Sequence, residues 1–282
     1  MIQDIAPQVF HNQISWREPT DSDPVLAFTK DRKVYCCVDG NEIRYPTVSD
    51  LAARKQELQY LFAVDDTAYY LLEKEPEMPE KNGWTYQSTG KLRGMEASTG
   101  LFVCGAAESL YRWYGSQKFC GCCGAKMEKS KIERAMVCPA CSNTVYPKIC
   151  PAIIAAVCDG DRLVLTRYKN RPFKKYALVA GFAEIGESIE DTVRREVLEE
   201  TGLHVGKLHF YKSQPWVFTD TLLMGFYCEL EGSDDITVEE DELAEAAWFQ
   251  RNEIPTDFSS ISLTGEMIER FRQGKERTEE QL

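Results

Sequence analysis

The chain has 282 residues, and 33 Lys and Arg against 45 Asp and Glu leave a formal net charge of −12. That balance argues against a protein whose main task is gripping DNA or an anionic membrane, since both need a basic footprint. It leaves room for a small anionic substrate met through a local cation or a bound metal. With 43% hydrophobic and 28% charged residues, the composition is that of an ordinary globular chain, long enough for one large domain or several smaller ones.

No segment approaches the ~18 consecutive apolar residues of a membrane span; the most apolar run, Cys150 to Cys158, has the length of a strand. Met1 to Phe10 lacks the basic flank and apolar stretch of a secretory signal. The 11 cysteines are odd in number and scattered. They fit a metal site plus free thiols in a reducing cytoplasm better than a disulfide framework.

In chain order, Leu26–Phe28, Val34–Val38 and Ala68–Leu72 read as short strands between turns, with a helix expected over Ser49–Gln59, capped by Ser49 or Asp50. A second helix is expected from Thr99 to Tyr114, with Leu101, Phe102, Leu110, Trp113 and Tyr114 on one face and Gly105 weakening it. From Cys150 the pattern becomes α/β. Pro151–Cys158, an Asp159–Gly160 turn and Arg162–Tyr168 form a hairpin. Leu178–Gly181, Leu208–Tyr211, Leu222–Leu230 and Ala246–Phe249 are further strands. Helices are expected over Glu190–Thr201, closed by Gly202, and over Met267–Gln273. These divisions suggest an N-terminal α+β domain over 1–115, a cysteine module over 116–147 and an α/β domain over 148–282.

In that module Cys120 and Cys123 form one C-x2-C pair, and Cys138 and Cys141 another, 14 residues further on. Two such knuckles supply four thiolates at the spacing of a structural Zn²⁺ site, which has no open position for catalysis. Cys122 leaves a second register open for the first knuckle.

The most informative stretch runs from Gly181 to Leu203. Glu196, Glu199 and Glu200 stand at i, i+3 and i+4 and so share one helix face. Three like charges there repel unless something positive joins them, and oxygen ligands at this spacing suit Mg²⁺ or Mn²⁺. Ile189, Val193, Val197 and Leu198 supply an apolar side, and Arg195 can pair with Glu187 or Glu199. The spacing G-x5-E-x7-R-E-U-x-E-E-x-G-U, with U aliphatic, is met at every fixed position.

That signature resembles the Nudix hydrolases. The resemblance implies an α/β/α sandwich with a mixed sheet and metal-dependent cleavage of a pyrophosphate linking a nucleoside to another group. It also implies roles: Glu196 and Glu200 as metal ligands, Glu199 as a further ligand or base, and the Ala180 carbonyl as another ligand. Arg195 and Glu187 complete the set. Ten residues after Leu203 comes Ser213-Gln-Pro-Trp-Val-Phe-Thr-Asp-Thr221. It is similar to the Ser-Gln-Pro-Trp-Pro-Phe-Pro-x-Ser motif of the NADH pyrophosphatase, or NAD(H) diphosphatase, subfamily, which also carries a four-cysteine ribbon upstream. Val217 and Thr219 replace prolines, which should loosen this loop, and Thr221 replaces Ser.

On this resemblance Gln214, Pro215, Trp216, Val217, Phe218, Thr219, Asp220 and Thr221 are candidate substrate contacts, with Arg93, Glu133, Tyr146 and Phe182. Glu242 and Thr264 are further candidate metal positions. The implied activity is hydrolysis of NADH or NAD⁺ to NMNH or NMN plus AMP, with removal of NAD caps from RNA as the same chemistry. A homodimer is implied. Rival readings are hydrolysis of ADP-ribose or a diadenosine polyphosphate, and a non-catalytic nucleotide sensor. His11, His204 and His209 fit no ligand spacing.

Overall fold

The computed structural model describes residues 1–169, 175–238 and 243–276. It divides into two compact units. One holds Ile2–Lys148 together with Val217–Asp220, and the other the remaining described residues.

In the first unit, β1 (Lys33–Asp39) turns back antiparallel on β2 (Glu42–Arg44) through Gly40, whose φ of +57° suits glycine. β3 (Leu58–Val64) and β4 (Thr67–Leu72) form a second antiparallel pair, extended by Phe10–His11 at one edge and Val25–Leu26 at the other. β5 (Trp84–Ser88) completes the first sheet beside β1. Val25, Tyr35, Val48, Tyr60, Ala68, Tyr70 and Leu72 form one buried cluster.

The helix expected over Ser49–Gln59 is much shorter. Only Val48–Leu51 is α-helical, and Lys55–Glu57 is a 3₁₀ turn. Its cap is Thr47, which accepts from the Asp50 amide while Asp50 accepts from the Thr47 amide. Ala52 in the left-handed region ends it, and Leu58 onward is drawn into β3 by pairing with β4, so a tertiary partner overrides local helix preference.

The helix α1 (Thr99–Ser116) is capped by Ser98. Leu101, Phe102, Leu110 and Trp113 are buried as expected, and Tyr114 is half-buried. Three two-residue strands, Glu128–Lys129, Met136–Val137 and Thr144–Val145, make the small sheet of the cysteine ribbon.

The second unit is built on β6 (Cys150–Asp159), whose residues are buried on both faces through most of its length. Gly160 in a left-handed turn returns it into β7 (Arg162–Tyr168). β8 (Val179–Phe182) pairs antiparallel with β6 and leads through Gly186 into α2 (Ile189–Thr201). β9 (Val205–Trp216) and β10 (Thr221–Leu230) form a long hairpin, with β10 parallel to β6. β11 (Leu243–Gln250) pairs with β7, and α3 (Leu263–Arg272) follows. The sheet order is β9-β10-β6-β7-β11, with β8 on β6.

Alternation along β6 sorts the core into two layers. Ile154 and Ala156 join Leu263, Met267, Ile268 and Phe271 of α3. Ile153, Ala155 and Val157 join Val193 and Val197 of α2. The helices therefore cover opposite faces of a mixed sheet, the α/β/α sandwich expected. Among the element bounds that shift are those of one helix and one strand. α3 begins four residues earlier than the Met267 expected, and β9 continues five residues past Tyr211. Leu198, expected in the core, is exposed. Among the described residues no helix is long and apolar enough to cross a membrane.

Candidate active site

The carboxylate face is assembled from the end of β8 and from α2. Ser188 caps α2 by accepting from the Asp191 amide, and Glu190 and Asp191 complement the helix dipole in the first turn. Gly202, at φ +71°, returns its amide to the Leu198 carbonyl and closes the helix. The glycines and caps thus fix the length and start of the helix, and so the register of its glutamates.

Gly181 is the closest approach in the site. A Cβ built on it would lie 1.9 Å from Cδ of Glu196 and 2.1 Å from both carboxylate oxygens. The Glu196 carboxylate occupies the space that any other residue at 181 would fill. Arg195 holds the rest together. Its Nε donates to Glu187 at 2.6 Å, its Nη1 to Glu196 at 2.7 Å and to Glu199 at 2.9 Å, and its Nη2 to Glu187 at 2.9 Å and to the Phe182 carbonyl at 3.0 Å. Glu187 also accepts from the Glu184 amide and from the Thr192 hydroxyl. Pairing with Arg195 is the main reason the Glu187 carboxyl is held down to about 2. The same pairing pushes the Arg195 guanidinium up.

Glu200 is 1% exposed. The Tyr168 hydroxyl lies 3.3 Å from Glu200 Oε1 and 3.5 Å from the Ala180 carbonyl. Sequence reasoning missed Tyr168; its signal is only that it ends β7. Glu199, by contrast, is half-exposed at the rim. Hard oxygen donors grouped on Glu196, Glu200 and the Ala180 carbonyl, with a glycine cradle under Glu196, fit a divalent cation of the Mg²⁺ or Mn²⁺ kind. Glu242 lies outside the described residues. Thr264 is the second residue of α3, on the opposite face of the sheet from α2.

The Ser-Gln-Pro-Trp stretch differs from the loop expected. Gln214, Pro215 and Trp216 are strand residues, paired with Leu223, Leu222 and Thr221. β9 is an edge strand, where proline is tolerated because its missing N–H faces no neighbour. Gln214 is fully buried. Its Nε2 donates to the Ile261 carbonyl at 2.9 Å and its Oε1 accepts from the Leu263 amide at 2.7 Å, so it ties down the start of α3. Trp216 and Thr221 are buried. The turn itself is Val217–Asp220, in which Thr219 is exposed and the others half-buried. The Arg93 guanidinium stacks 5.6 Å from the Phe218 ring centroid, and burial lowers its pKa. Phe182, next after Gly181, is exposed.

In the ribbon the four expected sulfurs converge, all within 4.8 Å of one another. Cys120 and Cys141 are 3.6 Å apart, and Cys123 and Cys138 3.5 Å. A tetrahedral site with Zn–S of about 2.3 Å needs an S–S edge of about 3.8 Å, so the four thiols fit a structural Zn²⁺. Each knuckle is a matching turn: the Gly124 amide donates to the Cys120 carbonyl, and the Ser142 amide to the Cys138 carbonyl. The Cys122 amide is the main group lowering the Cys120 thiol. Cys122 itself is exposed and outside the cluster, which settles the register as Cys120 with Cys123. All 11 cysteines are free thiols. Glu133 accepts from the Tyr146 hydroxyl at 3.0 Å on the ribbon surface.

Residues 148–271 match the NUDIX domain, and residues 116–146 match the NADH pyrophosphatase zinc ribbon domain. The two matches lie in this order along the chain, a zinc ribbon of the NADH pyrophosphatase type ahead of a NUDIX domain. Among its curated relatives is the NAD-capped RNA hydrolase NudC of Pectobacterium atrosepticum, 38% identical over 162 residues, 57% of this chain and 62% of the relative. The protein of the same name from Enterobacter sp. strain 638 is 39% identical over 171 residues, 60% of this chain and 66% of the relative. The matches therefore span less than two thirds of these relatives' length. A solved NUDIX hydrolase from Nitrosomonas europaea superposes at a TM-score of 0.49 with 22% identity, covering 56% of this chain and 92% of that one.

Proposed function

We propose that the protein hydrolyses the pyrophosphate bond of NADH or NAD⁺, adding water to give NMNH or NMN and AMP. The observation that carries this reading is the Glu196 carboxylate lying on Gly181, on the α2 face that also carries buried Glu200. Glu196, Glu200 and the Ala180 carbonyl would hold Mg²⁺ or Mn²⁺, with Glu242 as a further ligand position; Thr264, across the sheet from α2, would not reach that ion. Bound there, such an ion neutralises the diphosphate, polarises the attacked phosphorus and lowers the pKa of a coordinated water.

The chain's own contribution is positioning. Arg195 keeps Glu187, Glu196 and Glu199 in fixed places despite their like charge. Glu199, at the exposed rim, is suited to accept the proton of the attacking water. Exposed Phe182 can stack on a base. The Val217–Asp220 turn, with Arg93 stacked on Phe218, would select the dinucleotide, Gln214 serving to fix the start of α3, and Glu133 and Tyr146 would be further substrate contacts.

The name of the curated relatives supports removal of NAD caps from RNA as a second use of this chemistry. A cytoplasmic homodimer is part of the proposal. The test is a panel of NADH, NAD⁺, ADP-ribose, a diadenosine polyphosphate and NAD-capped RNA, with Mg²⁺ or Mn²⁺ and Glu200→Gln as control. Preference for the nicotinamide substrates and an inactive control are expected. Equal rates across the panel would overturn the nicotinamide assignment, and a fully active Glu200→Gln would overturn the carboxylate assignment.

A further inference from the structure

The Val217–Asp220 turn belongs to the same compact unit as α1, and its contacts there are specific. Gly105 lies inside α1, where a Cβ would meet Val217 Cγ2 at 2.4 Å and Phe218 Cε1 at 3.4 Å. A glycine inside a helix weakens it relative to alanine; here the missing methyl is the space the turn fills. Three residues on, Glu108 is 1% exposed and sits 2.6 Å from Arg32 Nη2 and 3.3 Å from Arg112 Nη1. A buried carboxylate persists when it is paired, and this one faces the Arg112 guanidinium as an ion pair without a hydrogen bond. Arg112 Nη2 then donates to the Val217 carbonyl at 3.3 Å and to Asp220 Oδ1. Ser109 Oγ donates to the same Oδ1 at 2.6 Å. Asp220 has φ +57°, a left-handed conformation that its bonds to α1 hold in place.

We propose that α1 is the template that sets the shape of the Val217–Asp220 turn, with Arg112 as the positioning residue, and that this template sets selectivity among dinucleotides. The selectivity part rests on the pyrophosphatase reading above. Val217 and Thr219 stand where the related motif carries prolines. A proline fixes φ covalently; in this chain an ion-pair chain through Glu108, Arg112 and Asp220, and packing on Gly105, supply the constraint instead. Glu108 and Arg112 touch no reacting atom in this account. They act through the turn.

The test uses the full chain and two readouts. In Arg112→Met, amide exchange across 214–222 should speed up by about tenfold or more while β6 and α2 keep their protection. KM for NADH should rise about tenfold, with kcat within about twofold and both constants for ADP-ribose within about twofold, the pattern of a displaced recognition turn. Asp220→Asn leaves Glu108 its arginine partners, so it keeps the fold should Arg112→Met lose it, and it should speed exchange in the same segment. Unchanged exchange in the turn in folded variants overturns the template. Equal shifts in KM for NADH and ADP-ribose overturn the selectivity. A wild-type chain that cleaves no dinucleotide refutes the pyrophosphatase reading and the selectivity resting on it, while the exchange measurement still decides the template.

Discussion

Replacing Gly181 by alanine puts a methyl carbon 1.9 Å from the Glu196 carboxyl carbon. Gly181 is a strand residue outside the left-handed region, so its backbone accepts alanine, and the conflict is purely one of space. The carboxylate must retreat by about 1.5 Å to reach the 3.4 Å at which contact becomes ordinary. It then draws away from Arg195 Nη1, now 2.7 Å distant. A misplacement of about 1 Å in a reacting assembly costs on the order of 10²-fold in rate, or about 2.7 kcal/mol of barrier. Steady-state hydrolysis of NADH with saturating Mn²⁺, beside Mn²⁺ binding by calorimetry, measures both consequences. We expect kcat down about 10²-fold, weaker Mn²⁺ binding and a thermal midpoint within a few degrees of the parent. A Gly181→Ala enzyme that turns over NADH at the parent rate would refute the claim that this contact holds Glu196 in its working place.

Glu187→Gln should flatten the acid limb of stability. The folded-state carboxyl is held to about 2 against an ordinary 4.5, so its contribution is complete above 4.5 and is lost as pH falls through about 2. Denaturant midpoints from pH 6 down to pH 2 in parent and variant should converge at the acid end; parallel curves would contradict this. Cys138→Ser should abolish zinc binding and lower the thermal midpoint, whereas Cys122→Ser should keep a full equivalent of zinc by elemental analysis, because only Cys138 belongs to the sulfur cluster. Gln214→Ala should destabilise the chain by about 2–3 kcal/mol in urea, since it leaves the Ile261 carbonyl and the Leu263 amide buried without their partner. A loss of NADH affinity with no loss of stability would instead mark Gln214 as a substrate contact.

What could be read in the sequence was what is locally determined. α2 announces itself through the spacing of Val193 and Val197 and through Gly202, all within one helix length, though its Ser188 cap shows only in the structure. The four cysteines do the same through two short gaps. What stayed hidden depends on distant partners. Leu58–Val64 has no periodicity that separates strand from helix, and β4 decides it. Pro215 reads as a loop residue until the edge position of its strand is known. Gly105 reads as a flaw in α1 until Val217 is seen against it, and Tyr168 joins the site only because the fold brings β7 alongside Glu200.

A guanidinium carries five N–H donors in a rigid fork, and Arg195 makes five bonds with them, to Glu187, Glu196, Glu199 and the Phe182 carbonyl. It is a saturated hub. No donor is left over to reach toward a phosphate without first releasing a carboxylate or the Phe182 carbonyl. The guanidinium bonded to Glu187, Glu196 and Glu199 is thus committed to internal order.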